Sequence, residues 1–268
     1  MNTATDPETS ELPTRSARQA QVVEGLQAHL PAHALLWQTE DTTPFECDGL
    51  TAYRQRPLVV ALPETLAQVQ AVLRVCHALD VPVVARGAGT GLSGGAMPHT
   101  LGVTLSLAKF NKVLKIDPTA RTAVVQCGVR NLAISEAVSK FGLYYAPDPS
   151  SQIACTIGGN VAENSGGVHC LKYGLTLHNI LKISGFTMAG EPIEFGSDAL
   201  DAPGFDLLSI VAGYSRRTKG RPGTRPRQRA RPACPELPRV HWEPDFCQDT
   251  QAVRCRRVNP PWMCRCRL

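Results

Sequence analysis

Ten residues in the first half of the chain, Arg86–Gly95, contain five glycines and directly follow an apolar run, Val81–Ala85, that predicts a strand. Glycine adopts positive φ angles and lets a backbone approach a ligand closely, because it has no Cβ. A loop of this composition can turn successive N–H groups to one side and form a nest for phosphate oxygens. The run therefore predicts a phosphate-binding loop at the end of a strand.

The glycines within residues 89–94 also match the G-x-G-x-x-G spacing of nicotinamide-dependent dehydrogenases. In those enzymes a helix must follow the loop, because the N-terminus of that helix faces the pyrophosphate. Here Pro98 and Gly102 interrupt the segment, and a strand-like run follows. The context disfavours a nicotinamide-binding Rossmann fold, which remains an alternative.

A second glycine-rich cluster, Ile157–Gly167, lies about 70 residues further along the chain, after Pro147–Ser151 and Thr156. A diphosphate-bridged dinucleotide has two phosphates and two hydroxylated arms. Two opposed loops rich in N–H groups, with hydroxyl and amide side chains nearby, would suit such a ligand. We therefore predict that the two loops converge on one dinucleotide. The alternative is that both clusters are only tight turns.

The surrounding sequence predicts both helices and strands. A helical apolar face between two strand candidates indicates a strand–helix–strand unit, and mostly strands follow it, so the predicted fold class is α+β. The predicted helices are Val22–Leu30, Leu66–Leu79, Asn131–Phe141 and Phe205–Val211. The predicted strands are Leu58–Leu62, Val81–Ala85, Gly102–Leu107, Lys112–Ile116, Thr122–Gln126, Ile180–Thr187 and Pro192–Phe195.

Several motifs follow one another in a fixed order between about residue 20 and residue 213. They are Tyr53-Arg54, Pro57–Val60, Pro63, Pro82–Gly95, Pro147–Ser151, Thr156–Asn160 and Asn164–Gly167. Together they resemble the FAD-linked oxidases of the vanillyl-alcohol oxidase type, which have a PCMH-type FAD-binding domain. Within that family the chain is most similar to the branch of the glycolate oxidase FAD subunit and D-lactate dehydrogenase.

The resemblance implies an FAD-binding domain of two α/β subdomains with the cofactor between them. It implies that the first loop wraps the pyrophosphate and that the later motifs line the flavin and its ribityl-phosphate arm. The residues implied for the first loop are Arg86, Gly87, Ala88, Gly89, Thr90 and Gly91. Those implied for the rest of the cofactor are Ser93, Gly94, Pro147, Asp148, Thr156, Gly158, Gly159, Asn160, Ser165, Gly167 and Tyr173.

In this family the flavin N5 accepts a hydride from C2 of a 2-hydroxy acid, which becomes the keto acid. The resemblance therefore implies an oxidoreductase acting on glycolate or D-lactate, with FAD as cofactor and an iron–sulfur or other glycolate oxidase subunit as partner. One alternative is a truncated pseudo-enzyme without turnover, and another is the nicotinamide-dependent dehydrogenase. This branch typically binds FAD without a covalent bond, so we interpret His99 and Cys155 as ordinary residues.

The composition changes abruptly after Gly213. Residues 1–213 carry 14 Lys and Arg against 19 Asp and Glu, whereas residues 214–268 carry 14 against 4, with eight prolines. The family continues here with the last strand of the FAD domain and a substrate domain. We expect both to be missing and the tail to be disordered and derived from a frameshift. The predicted domains are a polar segment 1–19, an incomplete FAD-binding domain 20–213, and the tail.

Several other functions are disfavoured. Many prolines and few hydrophobic residues argue against a nucleic-acid docking element in the basic tail, and its cysteines lack the C-x-x-C spacing of zinc sites. The chain has no apolar run long enough for a membrane span and no apolar leader, so we predict a cytoplasmic protein with reduced cysteines. No catalytic residue is assigned. Glu163, His169 and His178 lie near the second cluster, and structural roles are favoured for them.

Overall fold

The structure, a computed structural model, describes residues 7–197, 205–213 and 247–257. The helices are α1 (Pro7–Gln27), α2 (Thr39–Thr42), α3 (Leu66–Ala78), α4 (Asn131–Val138), α5 (Ile157–Glu163), α6 (Cys170–Tyr173) and α7 (Leu207–Val211). The strands are β1 (Leu35–Leu36), β2 (Val59–Ala61), β3 (Val83–Arg86), β4 (Val103–Ser106), β5 (Val113–Asp117), β6 (Thr122–Gln126), β7 (Leu143–Tyr145), β8 (Ile180–Phe186), β9 (Pro192–Gly196) and β10 (Cys247–Arg257). Within these ranges no helix is both long enough and apolar enough to cross a bilayer.

A four-stranded sheet with the order β1-β2-β4-β3 forms the first subdomain. Strands β2, β4 and β3 are parallel, and β1 is antiparallel to β2. Helix α3 leads from β2 to β3 and begins after Thr65, whose side chain forms a capping box with Gln68. The apolar face of α3, which includes Val72 and Leu73, is buried in the core of this sheet. The predicted strand–helix–strand unit is confirmed.

The second sheet is antiparallel, with the order β5-β6-β10-β8-β9 and with β7 paired to β10. Alternating residues of β6, Ala123 and Val125, are buried and pack with Ile134 and Val138 of α4. The described chain therefore contains two sheets with packed helices, as the α+β prediction requires, and a third, smaller core joins Val161 of α5 to Ile180 and Ile183 of β8.

Strand β10 lies within the second sheet and consists of residues of the predicted tail, so the expectation of disorder does not hold for residues 247–257. Its backbone pairs with β6 on one side and with β8 on the other, and its end pairs with β7. Val253 and Cys255 are buried in the second core, which reflects a period-two pattern that the average composition of the tail conceals. The predicted tail residues 214–246 and 258–268 lie outside the described residues.

Helix α1 begins earlier than predicted and runs across the predicted boundary between residues 19 and 20. Its polar side chains attach to backbone carbonyl groups of the first subdomain. Arg18 Nη2 donates to the oxygen of Asp80 at 2.8 Å, and Gln19 Nε2 donates to the oxygen of Leu58 at 2.8 Å. These bonds join distant parts of the chain, so apolar periodicity gives no sign of this part of the helix.

We expect Cys255 to resist alkylation in the folded protein. Burial raises the pKa of its thiol to about 11, and only the thiolate reacts rapidly. Iodoacetamide at about pH 8 should therefore modify Cys255 much more slowly in the folded chain than in the chain unfolded by urea, as measured by peptide mass spectrometry. The half-buried Cys47 and Cys170 serve as internal references. Equal rates for Cys255 in the folded and unfolded chains would contradict the position of β10.

Candidate functional site

The first glycine cluster forms an irregular loop between β3 and β4. Gly89 and Gly94 have φ angles of 70° and 71°, a region of backbone conformation that residues with a Cβ rarely adopt. A Cβ added at Gly89 would overlap the guanidinium group of Arg86, so the loop folds back over that side chain. Residues 87–102 contain no helix, as predicted from Pro98 and Gly102.

Arg86 supports the loop from behind. Its Nη1 donates to the carbonyl oxygen of Cys47 at 2.7 Å, and its guanidinium group lies 5.6 Å from the ring centre of Phe45. Burial lowers the pKa of Arg86, and the neighbouring Cys47 and Asp48 oppose that shift. An arginine remains charged under these conditions, so Arg86 also contributes positive potential beneath the loop.

The backbone of the loop is rich in free donors. Among the residues that the structure describes, none of the amide N–H groups of residues 87–93 donates a hydrogen bond to another protein group. Gly91 is also open on its side-chain face, because within the described ranges a Cβ added there would have only Glu163 Oε1 within 4 Å, at 3.9 Å. An anionic ligand could therefore approach this backbone closely and accept its N–H groups.

The second glycine cluster was predicted as an N–H-rich loop, and this part of the prediction is wrong. Residues 157–163 form α5, which Thr156 caps through its side chain. The amide groups of Ile157 and Gly158 donate to the carbonyl oxygens of Val129 and Cys127 at 2.9 and 2.8 Å. Because the first N–H groups of α5 are already bonded, they do not form a second nest for phosphate.

The two clusters nevertheless pack against each other, whereas their convergence on one dinucleotide stays a prediction. A Cβ added at Gly87 would overlap Thr156 Oγ1, so the start of the loop packs directly on the cap of α5. At the other end of the helix, Ser93 Oγ donates to Glu163 Oε2 at 3.0 Å. The loop therefore lies along α5 and is held at both ends.

A third segment joins this arrangement through Asp148. A Cβ added at Gly167 would overlap the backbone and side chain of Asp148, so the two residues are in direct contact. Asp148 Oδ2 lies 2.6 Å from His169 Nδ1, and Asp148 Oδ1 accepts from the His169 amide at 3.2 Å. The predicted residues Pro147, Asp148 and Gly167 thus form one packed unit next to α5.

The remaining predicted residues occupy different positions. Gly158 packs against Cys127, and Asn160 is buried, so the Asn160 side chain does not face an open surface. The carbonyl oxygen of Ser165 accepts from Thr176, and the Tyr173 ring makes an edge contact with Tyr144. The other predicted cofactor-binding residues are exposed or partly exposed beside the loop: Ala88, Thr90, Gly94 and Gly159.

The histidines and the cysteine considered from the sequence have structural partners. His178 Nδ1 accepts from the amide of Leu175 at 3.1 Å, and His99 Nδ1 accepts from the amide of Leu101 at 3.1 Å. Cys155 is buried. No group of three or more potential metal ligands occurs among the described residues.

One contributor to the loop was missed by sequence reasoning. A Cβ added at Gly49 would lie 2.8 Å from the carbonyl oxygen of Thr90 and 2.9 Å from that of Gly91, so this turn packs against the outside of the loop. Asp48, immediately before it, is buried and accepts from the amide of Leu50 at 2.9 Å. The Asp-Gly pair is a turn signal, but it does not indicate which loop it contacts.

Comparison with protein families and sequences gives three findings. Residues 57–196 match the family described as FAD binding domain. The chain is 62% identical over 192 residues to the glycolate oxidase subunit GlcD of Escherichia coli K12, which covers 72% of this chain and 38% of that protein. It is 35% identical over 171 residues to a D-lactate dehydrogenase of Anaerostipes hadrus, which covers 63% of this chain and 36% of that protein. The chain thus spans less than two fifths of these relatives.

Among solved structures, the fold is similar to that of an alkyldihydroxyacetonephosphate synthase, with a TM-score of 0.70 and 18% sequence identity. The match covers 90% of this chain and 41% of that protein. At this identity the similarity concerns the fold alone, and it agrees with the predicted α+β architecture.

Proposed function

Because the chain belongs to the FAD-binding-domain family, we propose that it is the FAD-binding part of an oxidoreductase that converts a 2-hydroxy acid into the keto acid. The similar proteins are named glycolate oxidase subunit and D-lactate dehydrogenase, and glycolate and D-lactate are both 2-hydroxy acids. The chain spans only 38% of the first relative. The substrate and the turnover of the longer protein are therefore proposals.

The observation that carries this proposal is the row of amide groups in residues 87–93, beside the open face of Gly91, which have no acceptor within the described part of the chain. The pyrophosphate of FAD carries negative charge and several acceptor oxygens, so it fits a backbone of this kind. The charged Arg86 beneath the loop favours the same ligand electrostatically. The residues present thus fit the cofactor of the family.

We propose that backbone amides and side chains of this chain bind FAD. The amides of residues 87–93 would bind the pyrophosphate, and the bond between Ser93 and Glu163 keeps the loop against α5. The Asp148 unit, with Gly167 and His169, would form the adjoining wall. Bound FAD would supply the hydride acceptor, which no protein side chain can provide.

Two further parts of the prediction belong to this proposal. The name of the first relative describes a subunit, which supports a partner subunit for the longer protein. The nicotinamide alternative loses support, because the loop 87–102 is not followed by the helix that such a site requires.

The visible absorption spectrum tests the proposal. We expect the purified chain, after addition of FAD and removal of the excess, to show flavin bands at close to one FAD per chain, together with altered flavin fluorescence. A correctly folded chain that binds no FAD would contradict it. Anaerobic addition of glycolate or D-lactate then separates a competent site from the pseudo-enzyme alternative, because only the former bleaches the flavin bands.

A further inference from the structure

Two buried side-chain amides form a relay behind the candidate site. Asn160 Nδ2 donates to Asn131 Oδ1 at 2.8 Å, and Asn131 Nδ2 donates to the carbonyl oxygen of Pro147 at 2.9 Å. Asn131 and Asn160 are only 1% and 3% exposed. The sequence pattern identified Asn131 only as the first residue of a predicted helix, which it is in α4, and gave no sign of its side-chain bonds.

The chemistry of this relay requires an amide at position 131. The side chain accepts a hydrogen bond on one side and donates one on the other, which a carboxylate, a hydrocarbon or a shorter side chain cannot do in the same geometry. A buried polar group without its partner is strongly disfavoured, so each bond constrains the position of its partner.

The position of Asn131 joins several segments of the site. The backbone N–H of Asn131 donates to the carbonyl oxygen of Cys155 at 3.0 Å, and the neighbouring Arg130 forms a β-bridge with Thr156. One end of the relay is Asn160 in α5, and Thr156, which caps the start of this helix, contacts the first glycine-rich loop at Gly87. The other end is Pro147, directly before Asp148. The relay thus connects α5 with the Pro147–Asp148 segment, and these are the two walls proposed to flank FAD.

We propose that Asn131 is a positioning residue, which sets the separation between α5 and the Pro147–Asp148 segment and thereby the width of the FAD site. This inference rests on the proposed FAD-binding function. Asn131 makes its contribution through its two buried hydrogen bonds and does not need to contact the cofactor.

The test compares Asn131→Ala with Ser135→Ala in the full chain. Ser135 lies one turn further along α4 and bonds to Tyr145, with its Oγ accepting from the Tyr145 amide at 3.0 Å. Its Oγ also donates to the Tyr145 carbonyl oxygen at 3.4 Å, so Ser135→Ala, like Asn131→Ala, removes two side-chain hydrogen bonds from α4. We expect Asn131→Ala to weaken FAD binding about tenfold and to shift the visible bands of the bound flavin. Ser135→Ala should lower the unfolding temperature but leave both readouts unchanged.

Hydrogen exchange of the FAD-free chain gives a readout that does not depend on the cofactor. In Asn131→Ala, the amides of residues 150–156 should exchange faster, whereas those of the β8–β9 hairpin should not change. Asn160→Ala, which removes only one bond of the relay, provides a milder variant if Asn131→Ala does not fold.

The outcomes are distinguishable. A parent chain that binds no FAD defeats the proposed function, while the exchange data still show whether Asn131 holds the two walls together. Unchanged exchange in residues 150–156 overturns the inference, and so does equal weakening of FAD binding by Ser135→Ala. Unchanged affinity and flavin bands in Asn131→Ala, with a parent that binds FAD, also overturn it.

Discussion

The Gly91→Val variant should bind FAD about 100-fold more weakly than the parent, because the new side chain would fill the space that the open face of Gly91 leaves for the cofactor. Of the described residues of the FAD-free protein, only Glu163 lies near an added Cβ, with its Oε1 at 3.9 Å, which is an ordinary van der Waals distance. Gly91→Ala should have an intermediate affinity. Titrations followed by flavin fluorescence measure all three dissociation constants.

The stability of the FAD-free protein is the control for this prediction. Replacing a glycine by alanine reduces the entropy of the unfolded chain, so the unfolding temperature of Gly91→Ala should stay the same or rise slightly. Gly87→Ala is the contrasting variant, since its Cβ would overlap Thr156 Oγ1 and should lower the stability of the FAD-free protein. Parent-like FAD binding by Gly91→Val would show that the open face of Gly91 is not part of the cofactor site.

The Val253→Asp variant should lose about 3–5 kcal/mol of unfolding free energy, because it places a charge without a partner in the second core. Val253 has no exposed surface and packs in the same cluster as Val125 and Ile134. Thermal unfolding followed by circular dichroism measures the change. The destabilisation should shrink as the pH falls, because burial raises the pKa of a carboxyl group and the protonated form is neutral.

Leu114→Asp is the matched control for Val253→Asp. Leu114 lies on β5 of the same sheet but is 51% exposed, so a carboxylate there remains hydrated. Its unfolding temperature should stay close to that of the parent. Similar stability of Val253→Asp and Leu114→Asp would mean that residues 247–257 do not occupy the centre of the sheet in solution.

Local patterns were sufficient for most of the fold. Strand β6 matches its predicted range, and α3 differs by one residue, because alternation and helical periodicity depend only on neighbouring residues. The first loop was predicted from its glycines, and two of these, Gly89 and Gly94, have the positive φ angles that favour glycine. The match with the FAD-binding-domain family agrees with the cofactor implied by the motifs.

Helix α5 illustrates where local patterns fail. Two glycines in its first turn lower the helix propensity, so the segment was predicted as a loop. The cap from Thr156 and the bonds to the carbonyl oxygens of Cys127 and Val129 outweigh that propensity. Both carbonyl groups belong to residues about thirty positions earlier, and no local window of sequence contains them.

Local sequence patterns were enough to predict seven of the ten described strands, the glycine-rich loop after β3 and the class of cofactor, because these depend on periodicity, glycine content and ordered motifs. Only the tertiary structure decided three other features. Among the residues that the structure describes, it left the amides of residues 87–93 without a protein acceptor while bonding those at the start of α5. It also linked Asn131 to both walls of the site and inserted residues 247–257 into the second sheet. Each of these depends on hydrogen bonds between segments that are far apart in the chain, and the partner in such a bond is set by packing rather than by neighbouring residues.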